Sequence, residues 1–187
     1  NQAKELIDRG LVYEGGKRVN VARTEYPLKT RFNVKYPQKI KKIYENKEIV
    51  AVNKPIGITS DEAEKEFAGT SLIHRLDRDT SGVLLLAKSE EVKDRAIEEF
   101  KKKRVYKEYI AIVEGLIVEP MVIDTPIQTQ KGTQAISKTA KIGKEAKTIV
   151  EPYGIEENKT SRIKVVIETG ATHQIRVHLK SAGYPII

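Results

Sequence analysis

His74, Arg75, Asp77, Arg78, Asp79, Thr80 and Ser81 fall within one short stretch, HRLDRDTSG, that ends at Gly82. Carboxylates, guanidiniums, an imidazole and hydroxyls together supply acid, base, nucleophile and anion-binding groups. The stretch runs straight into Val83-Leu84-Leu85-Leu86-Ala87, an apolar run of strand character, so polar chemistry meets the core at a strand mouth. Gly82 permits the turn into that strand. Local side-chain-to-backbone bonds by Asp79, Thr80 and Ser81 would account for a bare DxTSG turn. Arg-Leu-Asp adds more: Leu76 is an anchor that turns Arg75 and Asp77 the other way, and a carboxylate near the interior needs a cation or several donors.

Other stretches can be placed on elements. In Asn53-Lys54-Pro55-Ile56-Gly57-Ile58-Thr59, Pro and Gly break a strand, leaving Lys54 at a strand end, where a lysine is ordinarily solvated. Val105 to Gly115, VYKEYIAIVEG, alternates as a strand with Val105, Lys107, Tyr109, Ala111 and Val113 on one face. In Gly170 to Leu179, GATHQIRVHL, Thr172 is placed to cap a helix whose Ile175 and Leu179 face the core and which stops at Gly183, although its alternation also permits a strand. Ser89 is the expected N-cap of another helix, with Val92, Ala96, Ile97 and Phe100 as a core-packing stripe.

Taken in order, HRLDRDTSG, NKPxG, KxYxAxVxG and the closing THQIRxH resemble the motifs of the RluA/RluD family of pseudouridine synthases, from about Ile43 to the end of the chain. The resemblance implies an α+β fold with a mixed, largely antiparallel central sheet flanked by helices. It implies Asp77 as the group that attacks or polarises a target uridine, with Tyr109 against the base as a late proton acceptor. Arg176 is then the ion-pair partner of Asp77, since a guanidinium can fix a carboxylate bidentately and keep it ionised in a water-poor pocket. Arg75 would fill the space left by a nucleotide flipped from its helix. Lys54, His74, Thr80, Lys107, His173 and Gln174 are implied at the substrate. Ala171 departs from the family pattern, which commonly has Arg there. The implied reaction breaks the ring-nitrogen bond to ribose, turns the base and rejoins it through carbon-5. It requires no cofactor, metal or redox partner.

The chain's 187 residues carry a formal net charge of +8, which points toward a polyanionic partner, here RNA, ribosomal more than transfer. There is no Cys and there are only 3 His, so disulfides, thiolate chemistry and paired metal spacings are set aside, and a reducing, cytoplasmic compartment and a monomer are expected. No apolar run approaches a membrane span.

Residues 1–38 read as a separate segment and 39–187 as the catalytic domain. Ala3, Leu6 and Ile7 give a helical stripe ending at Gly10, then Leu11-Val12-Tyr13 reads as a strand and Glu14-Gly15-Gly16-Lys17 as a hairpin turn. This pattern resembles the second half of a small RNA-binding module, which makes Arg9, Lys17, Arg18 and Arg23 candidate phosphate contacts. Lys101, Lys102, Lys103 and Arg104 end the Ser89 helix, where they complement its dipole or form an RNA-backbone patch. Residues 119–143 read as loops with short strands, an RNA-contacting or mobile insertion. The sequence has no initial Met and halts where the family normally continues, so it is read as truncated at both ends. Two rival readings are an inert RNA-binding protein of the same fold, and a glycoside-cleaving enzyme using Asp77 and Asp79. The first is opposed by intact Asp77, Tyr109 and Arg176. The second is opposed by two acids on one turn that need not converge and by the absence of Trp.

Overall fold

Val50, Ala51 and Val52 are 3%, 7% and 0% exposed, so consecutive residues of one strand are buried on both faces, as a central strand requires. The computed structural model describes residues 2–130, 136–156 and 159–187, which form two compact units, 1–98 and 99–187. In the first, α1 (Gln2–Asp8) leads into β1 (Val12–Glu14), β2 (Lys17–Arg18) and β3 (Phe32–Val34), a small antiparallel sheet in the order β2-β1-β3. Gly10 stops the helix and the Gly15-Gly16 turn joins the first two strands, as the residue types predict.

The main sheet of this unit uses β4 (Lys41–Glu45), β5 (Ile49–Lys54), β6 (Ser71–Leu72) and β7 (Gly82–Ala87) in the antiparallel order β4-β5-β7-β6; α2 (Ser60–Glu64) lies between β5 and β6. The register pairs Lys54 with Gly82, so the turn leaving β5 and the loop entering β7 emerge side by side. Gly82 has φ +129°, a backbone that side chains rarely adopt, at the point where the polar loop becomes strand. Helix α3 (Glu90–Lys101) follows, and its cap is the expected one, with Ser89 Oγ accepting the Val92 amide at 3.3 Å. Its apolar stripe, expected to be core, is only half-buried, and no residue of the helix is buried.

In the second unit, β8 (Glu108–Glu114), β9 (Met121–Asp124), β12 (Lys147–Glu156) and β13 (Thr160–Ile167) form an antiparallel sheet in the order β8-β13-β12-β9. Between β9 and β12, β10 (Ile127–Gln130) and β11 (Ile136–Thr139) pair as a separate antiparallel ladder. Of the stretch 119–143 expected as loops with short strands, residues 131–135 lie outside the described residues. Strand β13 alternates strictly: Ser161, Ile163, Val165 and Ile167 are buried, and their neighbours are not. Pro152 lies beyond the part of β12 that pairs with β9, and the register with β13 shifts there, so its missing N–H disturbs little. The core gathers Val113, Ile117, Val150, Ile163, Val165 and Leu179, the last from α4 (Gln174–Ser181). Among the described residues no helix is long and apolar enough to cross a membrane.

Candidate active site

The loop between β6 and β7 carries Asp77, and both of its neighbours are fixed. Ser60, 1% exposed at the start of α2, accepts the Leu76 amide at 2.9 Å and donates to the Leu76 carbonyl at 3.0 Å. Leu76 itself is 9% exposed, which makes it the anchor its position implied. On the other side, the Arg78 carbonyl accepts from the Gly57 amide at 2.9 Å and from Lys54 Nζ at 3.2 Å. Gly57 has φ +85°, and a Cβ there would come within 3.4 Å of the Pro37 ring. The Thr80 amide donates to the Asp77 carbonyl at 3.1 Å and closes the turn, leaving the half-buried Asp77 side chain aimed by a backbone pinned before and after it.

Lys54 corrects the expectation of a solvated lysine at the substrate. It is 0% exposed, and its ammonium donates to the carbonyls of Pro55 and Ile58, each at 2.9 Å, as well as to Arg78. Its three donors are thereby used, so it ties the NKPxG turn to the Asp77 loop and has none left for a substrate. Burial pushes its pKa below the ordinary value, and the charges of Asp79, Asp77 and Glu62 oppose that shift. Helix α2 is held by a reciprocal cap: Thr59 accepts the Glu62 amide, and Glu62 accepts the Thr59 amide at 2.7 Å. Burial would raise the Glu62 carboxyl, but the Thr59 amide and hydroxyl, with Arg9 and Arg78, bring it below its ordinary value.

The rest of the loop divides by exposure. Arg75 is exposed and forks onto Asp61 with contacts of 3.2 and 2.8 Å, an exposed pair that holds it only weakly. His74 is half-buried, with Nε2 accepting the Leu85 amide at 3.2 Å, so it supports the β6–β7 connection. Arg18, expected at phosphate, instead grips Asp79 with Nη1 at 2.9 Å and Nη2 at 3.0 Å. Arg9 is half-buried beside Glu62 at 3.6 Å, whereas Lys17 is exposed.

In residues 99–187, Tyr109 occupies the inward face of β8 and packs against the core, as the alternation predicts. Lys107, on the same face, is half-buried and donates to the Glu168 and Thr169 carbonyls at 3.3 and 3.1 Å. Burial lowers its pKa, helped by the charges of Lys144 and Lys103. Gln174 corrects another expectation. It is 3% exposed and engaged at both ends: Oε1 accepts from Thr169 Oγ1 and the Ala171 amide, while Nε2 donates to the Lys147 carbonyl and Thr148 Oγ1. It therefore stitches the loop before α4 to β12 and is not presented to a substrate. Thr172 does not cap α4; the N-cap position is His173, in the left-handed region at φ 55°, with no side-chain cap bond. Arg176 is exposed, while the inward side of the helix belongs to Gln174, His178 and Leu179.

Of the basic run, Lys101 and Lys102 are exposed, Lys103 pairs with Glu145 at 2.9 Å and Arg104 with Glu99 at 3.6 Å. Sequence reasoning missed Ser60 and His178. Ser60 was signalled by Thr59-x-x-Glu62, a capping pattern placed directly after NKPxG. His178 was signalled by its spacing from Gln174, one helical turn on. Among the described residues no group of His, Asp or Glu is arranged to hold a metal ion.

A family model described as RNA pseudouridylate synthase matches residues 48–181. An uncharacterized RNA pseudouridine synthase of Helicobacter pylori strain J99 is 49% identical over 187 residues, covering 100% of this chain and 77% of that protein. A ribosomal large subunit pseudouridine synthase D of Haemophilus influenzae is 28% identical over 194 residues, covering 92% of this chain and 58% of that protein. A tRNA pseudouridine synthase C of Pasteurella multocida is 34% identical over 172 residues, covering 78% and 71%. Among solved structures, human RNA Pseudouridylate Synthase Domain Containing 1 superposes with a TM-score of 0.66 at 27% identity, covering 80% of this chain and 67% of that one.

Proposed function

The chain belongs to the RNA pseudouridylate synthase family, enzymes that isomerise uridine in RNA, and on that premise we propose that it acts on structured ribosomal RNA with Asp77 as its essential carboxylate. The relatives' names carry both classes, a large-subunit synthase D at 28% identity and a tRNA synthase C at 34%, so the choice of ribosomal RNA is the part of the proposal that the experiment below decides. The observation that carries the Asp77 assignment is its placement between Leu76 and Arg78, both tied to buried groups, in a loop at a strand mouth.

The carboxylate acts at the ribose, attacking the anomeric carbon or removing a ribose proton, while the bond to the ring nitrogen breaks. The base turns and carbon-5 bonds to the anomeric carbon as Asp77 leaves that carbon or returns the ribose proton it took; the proton on carbon-5 then leaves with Tyr109 as its acceptor, and the ring nitrogen gains a proton. Arg176 orients and neutralises Asp77 during turnover, and Arg75, weakly held by Asp61, takes the place of the flipped uridine. The exposed lysines at 101 and 102, with Lys17, meet phosphates.

The test is to map pseudouridines in total RNA from cells lacking the gene, before and after treatment with the purified chain or its Asp77→Asn variant. The wild-type chain should restore missing sites in ribosomal RNA, and Asp77→Asn should restore none while binding RNA normally. Sites restored by Asp77→Asn would overturn the catalytic assignment, and sites restored only in transfer RNA would overturn the substrate.

A further inference from the structure

Arginine contacts tie the N-terminal segment to the Asp77 loop and to α2. Arg18 forks onto Asp79, Arg78 donates to the Asp8 carbonyl at the end of α1 at 2.9 Å, and Arg9 lies beside Glu62. Of these, Arg18 is the most constrained. Its guanidinium lies 5.9 Å from the Tyr13 ring centroid and approaches the Tyr13 hydroxyl at 3.4 Å. It also passes close over Gly10, where a Cβ would stand 3.4 Å from its Cδ, Nε and Cζ. A planar fork held along its length and matched to both oxygens of one carboxylate is a directional device, unlike a lysine swinging in solvent. Asp79 follows Asp77 by two residues and lies within the turn that the Thr80 amide closes on the Asp77 carbonyl.

We propose that Arg18 is a positioning residue for the isomerisation: through Asp79 it holds the turn that carries Asp77, so docking of the N-terminal segment is part of the catalytic geometry. This deepens, and rests on, the assignment of Asp77 above. The N-terminal segment then acts on the rate of the chemical step, and not only on RNA affinity.

The experiment measures single-turnover pseudouridine formation in total RNA from cells lacking the gene, for the full chain and for Arg18→Ala, Asp79→Asn, their double variant and Arg18→Lys. Each single substitution should lower the rate at saturating enzyme about tenfold, a modest share of what misplacement of a reacting group can cost. The double variant should fall no further than the worse single, because both remove one contact. Arg18→Lys should recover part of the rate, and the half-saturating enzyme concentration should change less than about twofold. A purely structural role would move the melting temperature and leave the saturating rate alone. An unchanged saturating rate with weaker RNA binding, and a salt slope shallower by about 1, would make Arg18 a phosphate contact and overturn the proposal. Losses that multiply in the double variant would also overturn it. If Arg18→Ala does not fold, Asp79→Asn and Arg18→Lys carry the same readout. Asp77→Asn run alongside separates the two ideas: turnover by that variant removes the Asp77 assignment, whereas uncoupled Arg18 and Asp79 with a dead Asp77→Asn remove only the clamp.

Discussion

The Ser60 hydroxyl makes two bonds to a single residue, accepting the Leu76 amide at 2.9 Å and donating to the Leu76 carbonyl at 3.0 Å. A buried hydroxyl that satisfies a donor and an acceptor immediately before Asp77 aligns the loop as well as stabilising it. Ser60→Ala leaves both Leu76 groups unpaired, so it should cost about 1 to 3 kcal/mol, and the melting temperature should fall by roughly 2 to 4 °C per kcal/mol in a chain of this size. Turnover at saturation should fall by about tenfold or more, since small displacements of a reacting group are costly. Thermal melts and single-turnover rates measure the two effects, and an unchanged rate would show that this bond does not aim Asp77.

Lys54 allows a sharper comparison. Lys54→Met keeps the apolar stem but leaves the carbonyls of Pro55, Ile58 and Arg78 without their shared donor. The Arg78 carbonyl keeps the Gly57 amide, so two carbonyls are orphaned, and at on the order of 1 kcal/mol or more each the variant should lose about 2 kcal/mol. Lys54→Arg should be no better, because a planar fork does not reproduce the spread of a compact ammonium. Chemical denaturation reads this directly, and a loss below about 1 kcal/mol would mean the carbonyls find other donors or water.

The contrast between these residues and the rest explains what was legible in advance. The inward face of Tyr109, Ala111 and Val113, the Ser89 cap and the Leu76 anchor follow from spacing along one element, and residue order states them. The buried environment of Lys54 does not, because it depends on carbonyls from residues 55, 58 and 78 converging after the Lys54–Gly82 register is set. Arg18 and Asp79 are 61 positions apart, so the local pattern around Arg18, which resembles an RNA-binding module, made it look like a phosphate contact. Thr172 has the side chain of a cap, yet the left-handed backbone of His173 starts α4, a choice made by the Gln174 bonds to Thr169 and Ala171. The order of the motifs disclosed the reaction. Which of their residues face a substrate, and which hold the fold, depended on burial.

His178 links that buried network to pH. Its Nε2 lies 2.8 Å from the Thr125 carbonyl, which can only accept, so this nitrogen carries the proton and Nδ1 is left to accept from Thr148 Oγ1 at 2.9 Å. Burial lowers the pKa of this 0% exposed imidazole, against opposing contributions from the Thr125 carbonyl and Asp124. The folded value is therefore below the ordinary 6.5, and between the two the unfolded chain binds more protons. Stability should be independent of this group above about pH 7 and should fall as pH drops through 6.5 toward the folded value. His178→Asn should be less stable at pH 7.5 but lose that component of the acid slope. Melting curves from pH 7.5 to 5 on both proteins check it, and parallel slopes would rule out His178 as the source.

Arg176 is the residue for which exposure changes the expected outcome most. A buried guanidinium paired with Asp77 would cost about 3 to 5 kcal/mol on removal, whereas an exposed one contributes roughly 0 to 1 kcal/mol. Arg176 is exposed on α4, whose buried residues are Gln174, His178 and Leu179. Arg176→Ala should therefore melt within about 2 to 4 °C of the wild-type chain, the shift expected for 1 kcal/mol at this size. If its proposed role is to orient and neutralise Asp77 during turnover, the saturating rate should nevertheless drop by about a hundredfold, an effect confined to the reacting state. Arg176→Lys should recover only part of it, because an ammonium lacks the two-pronged geometry that fits a carboxylate. Melting and single-turnover kinetics on the same preparations separate the cases: a large loss of stability would place the guanidinium in a buried pair after all, and a wild-type rate in Arg176→Ala would remove it from the catalytic set.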